Sequence, residues 1–419
     1  MLVRFEVENF RSIREPAELS MVAIDEDRTG VRRVDRLGEP ILTTAAIYGP
    51  NASGKTNLLA ALNWLREAIQ GSLRYWDEAI PIEPFASSTA RNENTSFALE
   101  VIVEGILFEY LLELNSSKVQ FEALYHYPEG RRRKIYVREK NELSIQRGLG
   151  HLSGTRSLLT DRSLALSIMR RFDDETISGF GRVVLGISSL GMSLNKHRRP
   201  PMIHPRSTLD IFDVPQDNQL DLFEEGDPLG DPLRRRAMSL LRLADLGVAD
   251  VEIERDVDSP LGSSRRRPKL IHAIGGDTEA FSMADESAGT RTWFSLIGPL
   301  LHALDRGRVV LFDELEANLH PVLTAQILKL FANPGSNPRG AQLIFTSHDT
   351  NLLAHLNRDE VWLTQKNHNG ETRFAALSDF AGERVRKSVN LESGYISGRF
   401  GALPDVNNTE FLRDLGLIG

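Results

Sequence analysis

The chain has 419 residues, of which 41% are hydrophobic and 26% charged, a composition typical of a globular protein with one large or two moderate domains. It contains no cysteine, which excludes disulfide bonds and thiolate metal sites and agrees with a reducing cytoplasm. The net charge of −8 argues against a dominant nucleic-acid surface, and no apolar run approaches the ~18 residues that cross a bilayer. We therefore expect a soluble, cytoplasmic protein without a membrane partner.

The first predicted elements are two strands, over Leu2–Glu8 and Ala17–Val22, separated by residues 9–12. Charged and apolar residues alternate from the first position, which indicates a strand and not the basic head and apolar core of a signal peptide. We therefore expect the fold to begin with β-structure.

A phosphate loop follows, because residues 49–56 read Gly-Pro-Asn-Ala-Ser-Gly-Lys-Thr and match G-x-x-x-x-G-K-[ST]. A short apolar run precedes the motif and apolar residues at helical spacing follow it, which is the strand–loop–helix context that the motif needs. Backbone N–H groups and the helix dipole would then bind the phosphates, with Lys55 on the β- and γ-phosphates and Thr56 on Mg²⁺. The predicted nucleotide-binding residues here are Gly49, Asn51, Ser53, Gly54, Lys55, Thr56 and Asn57.

Alternating apolar runs from Ser96 to Tyr127, with Glu104-Gly105 as a tight-turn signal, predict a β-meander. Two basic runs, at 131–134 and 265–267, are more often charged loops or solvated strand edges than phosphate contacts. A nucleic-acid partner is therefore left open.

The pattern becomes helical from about 155 to 248, for example over Leu158–Phe172 and Leu233–Leu246. Between these two stretches, the Pro- and Asp-rich segment 200–231 is expected to be a loop. The chain is therefore divided into the N-terminal half of an ATPase domain (1–150), a helical insertion (151–248) and the C-terminal half (249–419).

Residues 309–314 read Val-Val-Leu-Phe-Asp-Glu, four apolar residues followed by two carboxylates. A buried parallel strand reads as a continuous apolar run, and its carboxyl end is where α/β sheets place ligands. We predict Asp313 as the carboxylate linked to Mg²⁺ and Glu314 as the general base that activates water. The alternative is a buried strand that ends in ordinary surface acids. Lys55 lies so far from Asp313 in sequence that one sheet must contain a large insertion.

Two further motifs flank the acidic pair. Ser287 and Gly289 open a predicted helix, where a hydroxyl and free N–H groups can bind an anion. His348 follows an apolar strand and is predicted to hydrogen-bond the γ-phosphate or the water beside it. Taken singly, Ser287 is more often an ordinary helix cap and His348 an ordinary polar residue. The order of all four motifs along the chain favours one shared ATP site.

This order of motifs, with the long insertion, resembles the ABC-type ATPases of the SMC, RecF and recombination-repair class. Within that class the chain is similar to the RloA-like family of prokaryotic abortive-infection and anti-phage systems, through residues 7–12, 314–321, 241–250 and 395–404. The resemblance implies an α/β fold: an ABC/SMC-like P-loop NTPase sheet with an N-terminal β-meander lobe. A helical insertion replaces the coiled coil of SMC proteins, because residues 70–250 show no sustained heptads.

The resemblance also implies how the site is completed. In this class two subunits pair head-to-tail, so Ser287 and Gly289 would cap the ATP bound by the partner subunit, and Arg11 and Ser12 would lie near the nucleotide. It implies ATP and Mg²⁺ as cofactors, a homodimer or higher homo-oligomer formed through ATP, and a separate effector protein, often a nuclease. No convincing Q-loop glutamine can be placed.

The leading hypothesis is an ATPase whose ATP-gated assembly senses infection or regulates an effector. The alternatives are a nucleotide-dependent scaffold with incidental turnover and a RecF-like DNA-repair ATPase. A nuclease is disfavoured because the sequence suggests no metal-binding cluster outside the ATP site. A small-molecule kinase fits poorly because such enzymes lack the Ser-x-Gly helix.

Overall fold

The computed structural model describes residues 1–34, 38–192, 207–213, 231–256, 265–379, 391–397 and 399. Its strands form a six-stranded sheet, a seven-stranded sheet, a three-stranded sheet and a two-stranded hairpin, with helices between them. The predicted α/β class is therefore confirmed. Most of the predicted loop at 200–231, and most of the family-like segment 395–404, lies outside the described residues.

The elements are numbered in chain order. The strands are β1 (Leu2–Glu8), β2 (Ala17–Ser20), β3 (Val31–Arg33), β4 (Pro40–Leu42), β5 (Thr44–Tyr48), β6 (Thr95–Val103), β7 (Ile106–Leu114), β8 (Val119–Tyr127), β9 (Arg133–Glu139), β10 (Glu142–Ile145), β11 (Ser188–Leu190), β12 (Val248–Asp256), β13 (Arg265–Ile274), β14 (Asp277–Ser282), β15 (Val309–Phe312), β16 (Gln342–Ser347), β17 (Val361–Lys366) and β18 (Thr372–Ala376). The helices are α1 (Lys55–Tyr75), α2 (Thr155–Leu158), α3 (Ala165–Met169), α4 (Glu175–Leu185), α5 (Thr208–Phe212), α6 (Pro232–Ala244), α7 (Ala288–Arg306), α8 (Pro321–Ala332) and α9 (Leu391–Ile396). Within the described ranges, no helix combines the length and the apolar character that crossing a bilayer requires.

The six-stranded sheet is ordered β11-β15-β16-β5-β17-β18 and is parallel except for β18. Both of its faces are buried: on β5, Ala45 and Ile47 belong to one hydrophobic core, whereas Ala46 and Tyr48 belong to the other. Apolar residues of α1 pack in the first core, and those of α7 and α8 pack in the second. Burial on both faces explains why these strands read as continuous apolar runs.

The strand order joins distant parts of the chain. β5 lies between β16 and β17, so the strand before the phosphate loop pairs directly with the strand before His348. β11, which lies inside the segment 151–248, pairs in parallel with β15 at the edge of the same sheet. Part of the predicted insertion therefore contributes to the parallel sheet. The carboxyl ends of β5, β15 and β16 meet at one edge.

The seven-stranded sheet is antiparallel and ordered β10-β9-β8-β7-β6-β1-β2, so the first strand of the chain joins the meander through β6. Glu104 and Gly105 connect β6 to β7 with φ values of +50° and +79°. Positive φ at both central residues is typical of the type I′ turn, whose twist matches a two-residue hairpin.

The stretch Leu158–Phe172 differs from the single helix that its pattern predicts. It contains the end of α2, a turn, and α3. In the turn, Thr160 and Ser163 accept each other's backbone N–H through their hydroxyls, both at 3.0 Å. The carboxylate of Glu122 accepts two backbone N–H groups at the start of α3, at 2.7 and 2.9 Å. These side-chain acceptors replace helical carbonyls, so the local pattern alone does not determine the structure.

Both predicted basic runs contain arginines with acidic partners in the same chain. Arg266 pairs with Asp210 at 2.6 Å and with Asp213 at 3.1 Å. Arg132 pairs with Glu109 at 2.8 Å. These pairs agree with the interpretation of the runs as charged surface and not as phosphate contacts.

Candidate nucleotide site

The phosphate loop connects β5 to α1, and two of its glycines are required by neighbouring strands. Gly54 has a φ of +101°, and a Cβ there would overlap Thr372 on β18. A Cβ at Gly49 would overlap Thr364 on β17. Ala52 also has a positive φ, of +62°. Glycine permits both the left-handed backbone and the close approach of the two strands.

Hydroxyl groups attach the loop to the same two strands. Ser53 Oγ lies 2.6 Å from Thr364 Oγ1, and the Thr372 hydroxyl donates to the carbonyl oxygen of Ser53 at 2.8 Å. The Ser12 hydroxyl accepts from the Asn57 amide at 2.6 Å and lies 2.7 Å from Thr372 Oγ1. The structure therefore brings three predicted site residues, Ser12, Ser53 and Asn57, together beside the loop.

Arg11 and Asn51 are also predicted site residues, but they lie outside this set of hydroxyl contacts. The guanidinium of Arg11 donates to the carboxylate of Glu83 at 3.0 and 3.3 Å and lies 5.4 Å from the ring centre of Phe10. Asn51 is exposed on the loop. Among the described residues, the Arg11 guanidinium therefore donates to Glu83 and not to the phosphate loop.

Lys55 begins α1, and its side chain turns back into the loop. Its Nζ donates to two carbonyl oxygens of the loop, at 2.7 and 3.1 Å. Burial lowers the pKa of Lys55, and the carboxylates of Glu314, Glu316 and Asp313 oppose that shift. The ammonium group therefore lies between the loop and the acidic end of β15, where a bound anion would contact a cation.

The start of α1 meets the end of β15 at Asp313. The Thr56 hydroxyl donates to the two carboxylate oxygens of Asp313 at 2.8 and 3.1 Å, although 257 positions separate the two residues. Thr346, on β16, donates to Asp313 Oδ1 at 2.7 Å. A hydroxyl and a carboxylate in contact are hard oxygen donors of the kind that Mg²⁺ prefers. The Thr56 hydroxyl and the Asp313 carboxylate therefore have the chemistry required of the predicted Mg²⁺ ligands.

Glu314 adopts a left-handed backbone conformation with φ +54°, which is uncommon for a residue with a side chain. Its N–H donates to the Thr346 hydroxyl at 2.8 Å, and the N–H of Leu315 donates to the Thr346 carbonyl at 3.1 Å. The Glu314 residue itself is exposed. Such conformations cost about 1–3 kcal/mol and cluster at functional sites, which makes this residue a candidate for chemistry.

His348 is held by Glu316, a residue that the sequence analysis did not select. Glu316 Oε1 lies 2.6 Å from His348 Nδ1 and accepts the His348 backbone N–H at 2.8 Å. The side chain of Glu316 is 11% exposed, whereas that of His348 is 64% exposed. An acceptor at Nδ1 favours the ring form that carries a proton there and leaves Nε2 available to a ligand.

The predicted signature residues lie at the start of α7. Ser287 is the exposed N-cap of this helix, and its hydroxyl accepts the Thr290 N–H at 3.0 Å. A Cβ at Gly289 would lie 3.5 Å from the carbonyl oxygen of Asn318, in the segment after the acidic pair. Within the described part of the chain, the Ser287 hydroxyl contacts Thr290 of its own helix and not the phosphate loop.

Comparison with models of protein families identifies the class of this chain. The matching model is described as "AAA domain, putative AbiEii toxin, Type IV TA system", and it matches residues 45–354, well over half of the chain. The chain belongs to this AAA-domain family. The matched part of this AAA-domain protein includes the phosphate loop, the acidic end of β15 and His348, and it excludes Arg11 and Ser12. A search of curated proteins gave no match.

Two solved structures similar to this AAA-domain protein are SMC heads. One is an SMC head bound to the C-terminal winged-helix domain of ScpA, with a TM-score of 0.44 and 13% identity over 90% of this chain and 97% of that chain. The other is an SMC head with an extended coiled coil, bound to the C-terminal domain of ScpA derived from Pyrococcus furiosus. Its TM-score is 0.43, with 12% identity over 90% of this chain and 96% of that chain.

Four residues of the candidate site escaped the sequence analysis: Thr346, Glu316, Thr364 and Thr372. Thr346 stands two positions before His348, and Glu316 two positions after Glu314, so both lie beside motifs that were recognised. Proximity to these motifs was the available signal for the two residues. Thr372 carries no such signal, because it reaches the loop only through the pairing of β17 with β18.

Proposed function

We propose that this AAA-domain protein binds ATP with Mg²⁺ at its phosphate loop and hydrolyses it. The observation that carries the proposal is the hydrogen bond from the Thr56 hydroxyl to Asp313 at 2.8 Å, which joins the phosphate loop to the acidic strand end. Mg²⁺ held on this side would neutralise phosphate charge. Thr56 and Asp313 are the residues proposed to hold it.

The residues around this contact support distinct roles in hydrolysis. Lys55, already the cation of the loop, would hold phosphate oxygens together with the N–H groups that precede α1. The exposed carboxylate of Glu314 would accept the proton of the attacking water. His348, oriented by Glu316 at Nδ1, would accept a hydrogen bond from that water at Nε2, or would donate from Nε2 to the γ-phosphate when the ring carries both protons.

We further propose that ATP joins two copies of this chain. Ser287 is exposed and Gly289 carries no side chain, so the start of α7 is open to a second molecule. Each copy would place these residues against the ATP bound by the other, in an isologous interface. Release of the γ-phosphate would then separate the copies.

The biological part of the proposal is that this ATP-dependent assembly senses infection or regulates a separate effector, such as a nuclease, in anti-phage defence. Its support is the resemblance to the RloA-like family and the toxin–antitoxin description of the matching family. A scaffold with incidental turnover and a RecF-like DNA-repair ATPase remain the competing proposals. Copurification with the hydrolysis-defective Glu314→Gln protein in the presence of ATP would capture an effector; recovery of DNA alone would favour the repair role.

The catalytic proposal is tested by steady-state ATP hydrolysis in Glu314→Gln. We expect the rate to fall by a factor of about 10²–10⁴ with ATP binding retained, because the base is lost and the loop is not. Lys55→Ala should instead abolish ATP binding. The matched control is Glu104→Gln, an exposed glutamate whose φ of +50° is close to that of Glu314, and it should hydrolyse ATP normally. Equal rates in Glu314→Gln and wild type would refute the assignment.

The dimer is tested by the molar mass in solution of the Glu314→Gln protein with ATP, with ADP and without nucleotide. We expect a doubled mass with ATP only. Adding Ser287→Arg should block this change while leaving ATP binding intact, because a large cation would occupy the proposed interface. Ser295→Arg, an exposed position on the same helix, is the control and should still dimerise. A mass that does not respond to ATP in the parent protein contradicts the model.

A further inference from the structure

Three side chains with metal-binding groups meet outside the proposed nucleotide site. They are Asp245, which ends α6, His272 on β13, and Glu286, two positions before α7. One potential ligand atom of each lies within 4.8 Å of the other two, and this is the one such group of three found among the described residues. His272 Nε2 lies 2.8 Å from Glu286 Oε1. The sequence analysis missed this cluster because its members are spread over three elements.

The local backbone keeps these side chains together. Asp245 Oδ1 accepts the N–H of Gly247 at 2.8 Å, which closes the turn between α6 and β12. A Cβ at Gly247 would lie 3.2 Å from Asp245 Oδ1 and 3.4 Å from His272 Nδ1. The first distance is tighter than an ordinary carbon–oxygen contact. The absence of a side chain at Gly247 therefore leaves the space in which the aspartate and the histidine approach each other.

We propose that Asp245, His272 and Glu286 bind one Zn²⁺ ion. Zinc accepts imidazole nitrogen and carboxylate oxygen in one tetrahedral shell, whereas Mg²⁺ favours oxygen ligands and retains several waters. Ligand atoms about 2.0–2.2 Å from zinc lie roughly 3.3–3.6 Å from one another, so the observed cluster needs only side-chain adjustments to close around the ion. The two formal carboxylate charges would balance the charge of the ion.

Partial burial favours a site that retains its ion. The side chains of His272 and Glu286 are 15% and 8% exposed, so protein atoms limit the access of water to both ligands. The His272 ring also packs edge-on against Phe281 on β14, with ring centres 5.1 Å apart, which fixes its orientation. Three protein ligands leave the fourth position of a tetrahedral ion for water.

The location of the cluster gives the ion a structural consequence. Glu286 directly precedes Ser287, the N-cap of α7, and Asp245 and His272 belong to α6 and the three-stranded sheet. Zinc would therefore connect the start of α7 to both of these elements. Zinc binding by these three residues does not require the proposed nucleotide, so its test needs no ATP.

The test measures zinc bound to the full chain, after metal removal and dialysis against a small excess of Zn²⁺ in the absence of nucleotide. We expect Asp245→Asn and Glu286→Gln to bind one zinc per chain fewer than wild type. Asparagine still offers an acceptor to the Gly247 N–H, so the turn should be retained. Zinc bound elsewhere on the protein is common to all variants and cancels in this difference.

The matched control is His151→Asn. His151 Nε2 lies 3.0 Å from Asp174 Oδ2, so it forms the same kind of histidine–carboxylate pair without belonging to the three-residue cluster. This variant should bind as much zinc as wild type. The melting temperature gives a second readout: zinc should raise it in wild type and in the control, by mass action, and should do so less in the two cluster variants.

Equal zinc content in wild type and both cluster variants would overturn the proposal and leave a histidine–glutamate ion pair. Displacement of the counted zinc by millimolar Mg²⁺ would also overturn it, because an imidazole-containing site should discriminate against Mg²⁺. If one of the two cluster variants melts at a lower temperature than wild type even without metal, the zinc content of the other cluster variant is compared with that of wild type.

Discussion

Two glutamates, Glu122 in the antiparallel sheet and the largely buried Glu316 at the nucleotide edge, have different numbers of hydrogen-bond partners. Glu122 on β8 is fully buried, and both of its carboxylate oxygens accept hydrogen bonds. One oxygen accepts from the hydroxyls of Tyr110 at 3.1 Å and Tyr136 at 2.8 Å, and both accept N–H groups at the start of α3. The guanidinium of Arg138 lies 3.7 Å away. The partners of this carboxylate all belong to the meander and to the start of α3.

Glu316 has a different balance of partners. Oε1 contacts both the ring and the backbone N–H of His348, but Oε2 is buried and finds no hydrogen-bond partner among the described residues. Its charge also acts on Lys55 and raises the pKa of Tyr48, for which burial is the larger cause. This carboxylate therefore lies inside the candidate site with unused hydrogen-bonding capacity.

We infer from this difference that Glu122 has a structural role and that Glu316 serves the proposed nucleotide chemistry. A buried polar network with all partners in place rigidifies the fold, so Glu122 docks α3 onto the meander. A buried oxygen without a partner is rare in folded proteins and calls for an explanation such as a ligand or a bound water. We expect removal of Glu122 to affect stability and removal of Glu316 to affect turnover.

The largest expected effect is that of Glu122→Ala on the free energy of unfolding. It should fall by about 3–5 kcal/mol, because two backbone N–H groups lose their acceptor and Arg138 loses its counter-charge in the interior. Burial and the Glu122 carboxylate raise the pKa of Tyr110 and Tyr136, so both hydroxyls remain protonated donors at neutral pH and would also lose their acceptor. Denaturant titration measures the change.

The control for this prediction is Glu129→Ala. Glu129 pairs with Arg133 at 2.6 Å, but its side chain is 71% exposed, so we expect a loss below about 1 kcal/mol. Losses of similar size in the two variants would mean that the network around Glu122 contributes no more than a surface ion pair, and the comparison of the two glutamates would fail.

The next effect is that of Glu316→Gln on ATP hydrolysis, and it depends on the proposed function. Loss of the carboxylate that orients a functional side chain typically reduces activity about 10–100-fold. We expect a decrease of that size, with ATP affinity and unfolding free energy nearly unchanged. If Glu316 acts through His348, the double variant Glu316→Gln/His348→Gln should hydrolyse no more slowly than His348→Gln alone. Additive losses would mean that Glu316 acts on the nucleotide by another route.

Several parts of the candidate site and of the fold were predictable from the sequence, because their signals are local. The phosphate loop, the acidic end of β15 and His348 follow buried apolar strands, and that pattern locates them at strand ends without knowledge of the fold. The meander was likewise predictable, because its alternation and its Glu104-Gly105 turn are local signals. The structure brings Thr56 to Asp313, whereas the Ser287 hydroxyl accepts from Thr290 in its own helix.

The partners of these residues were harder to predict because they depend on strand order. Thr346 reaches Asp313 because β16 lies beside β15, and Thr372 reaches Ser53 because β18 follows β17. Periodicity indicates that a strand exists but not which strand is its neighbour. The helix predicted over 158–172 was wrong for a similar reason, since Glu122, distant in sequence, supplies acceptors that end the regular pattern.

The smallest expected effect concerns a third glutamate, Glu83, which is exposed and paired. It holds Arg11 at 3.0 Å, and the two side chains are 55% and 33% exposed. Glu83→Gln should therefore change the unfolding free energy by less than about 1 kcal/mol.

The same substitution also frees Arg11, which the family resemblance assigns to the nucleotide. The affinity for ATP should therefore rise slightly, by no more than about threefold in low salt. Isothermal titration with ATP measures this change, and Glu83→Gln/Arg11→Ala is the control that should abolish the gain. A loss of affinity beyond tenfold in Glu83→Gln would instead make Glu83 itself part of the site, and exposure would then be a poor guide to which carboxylates of this protein are functional.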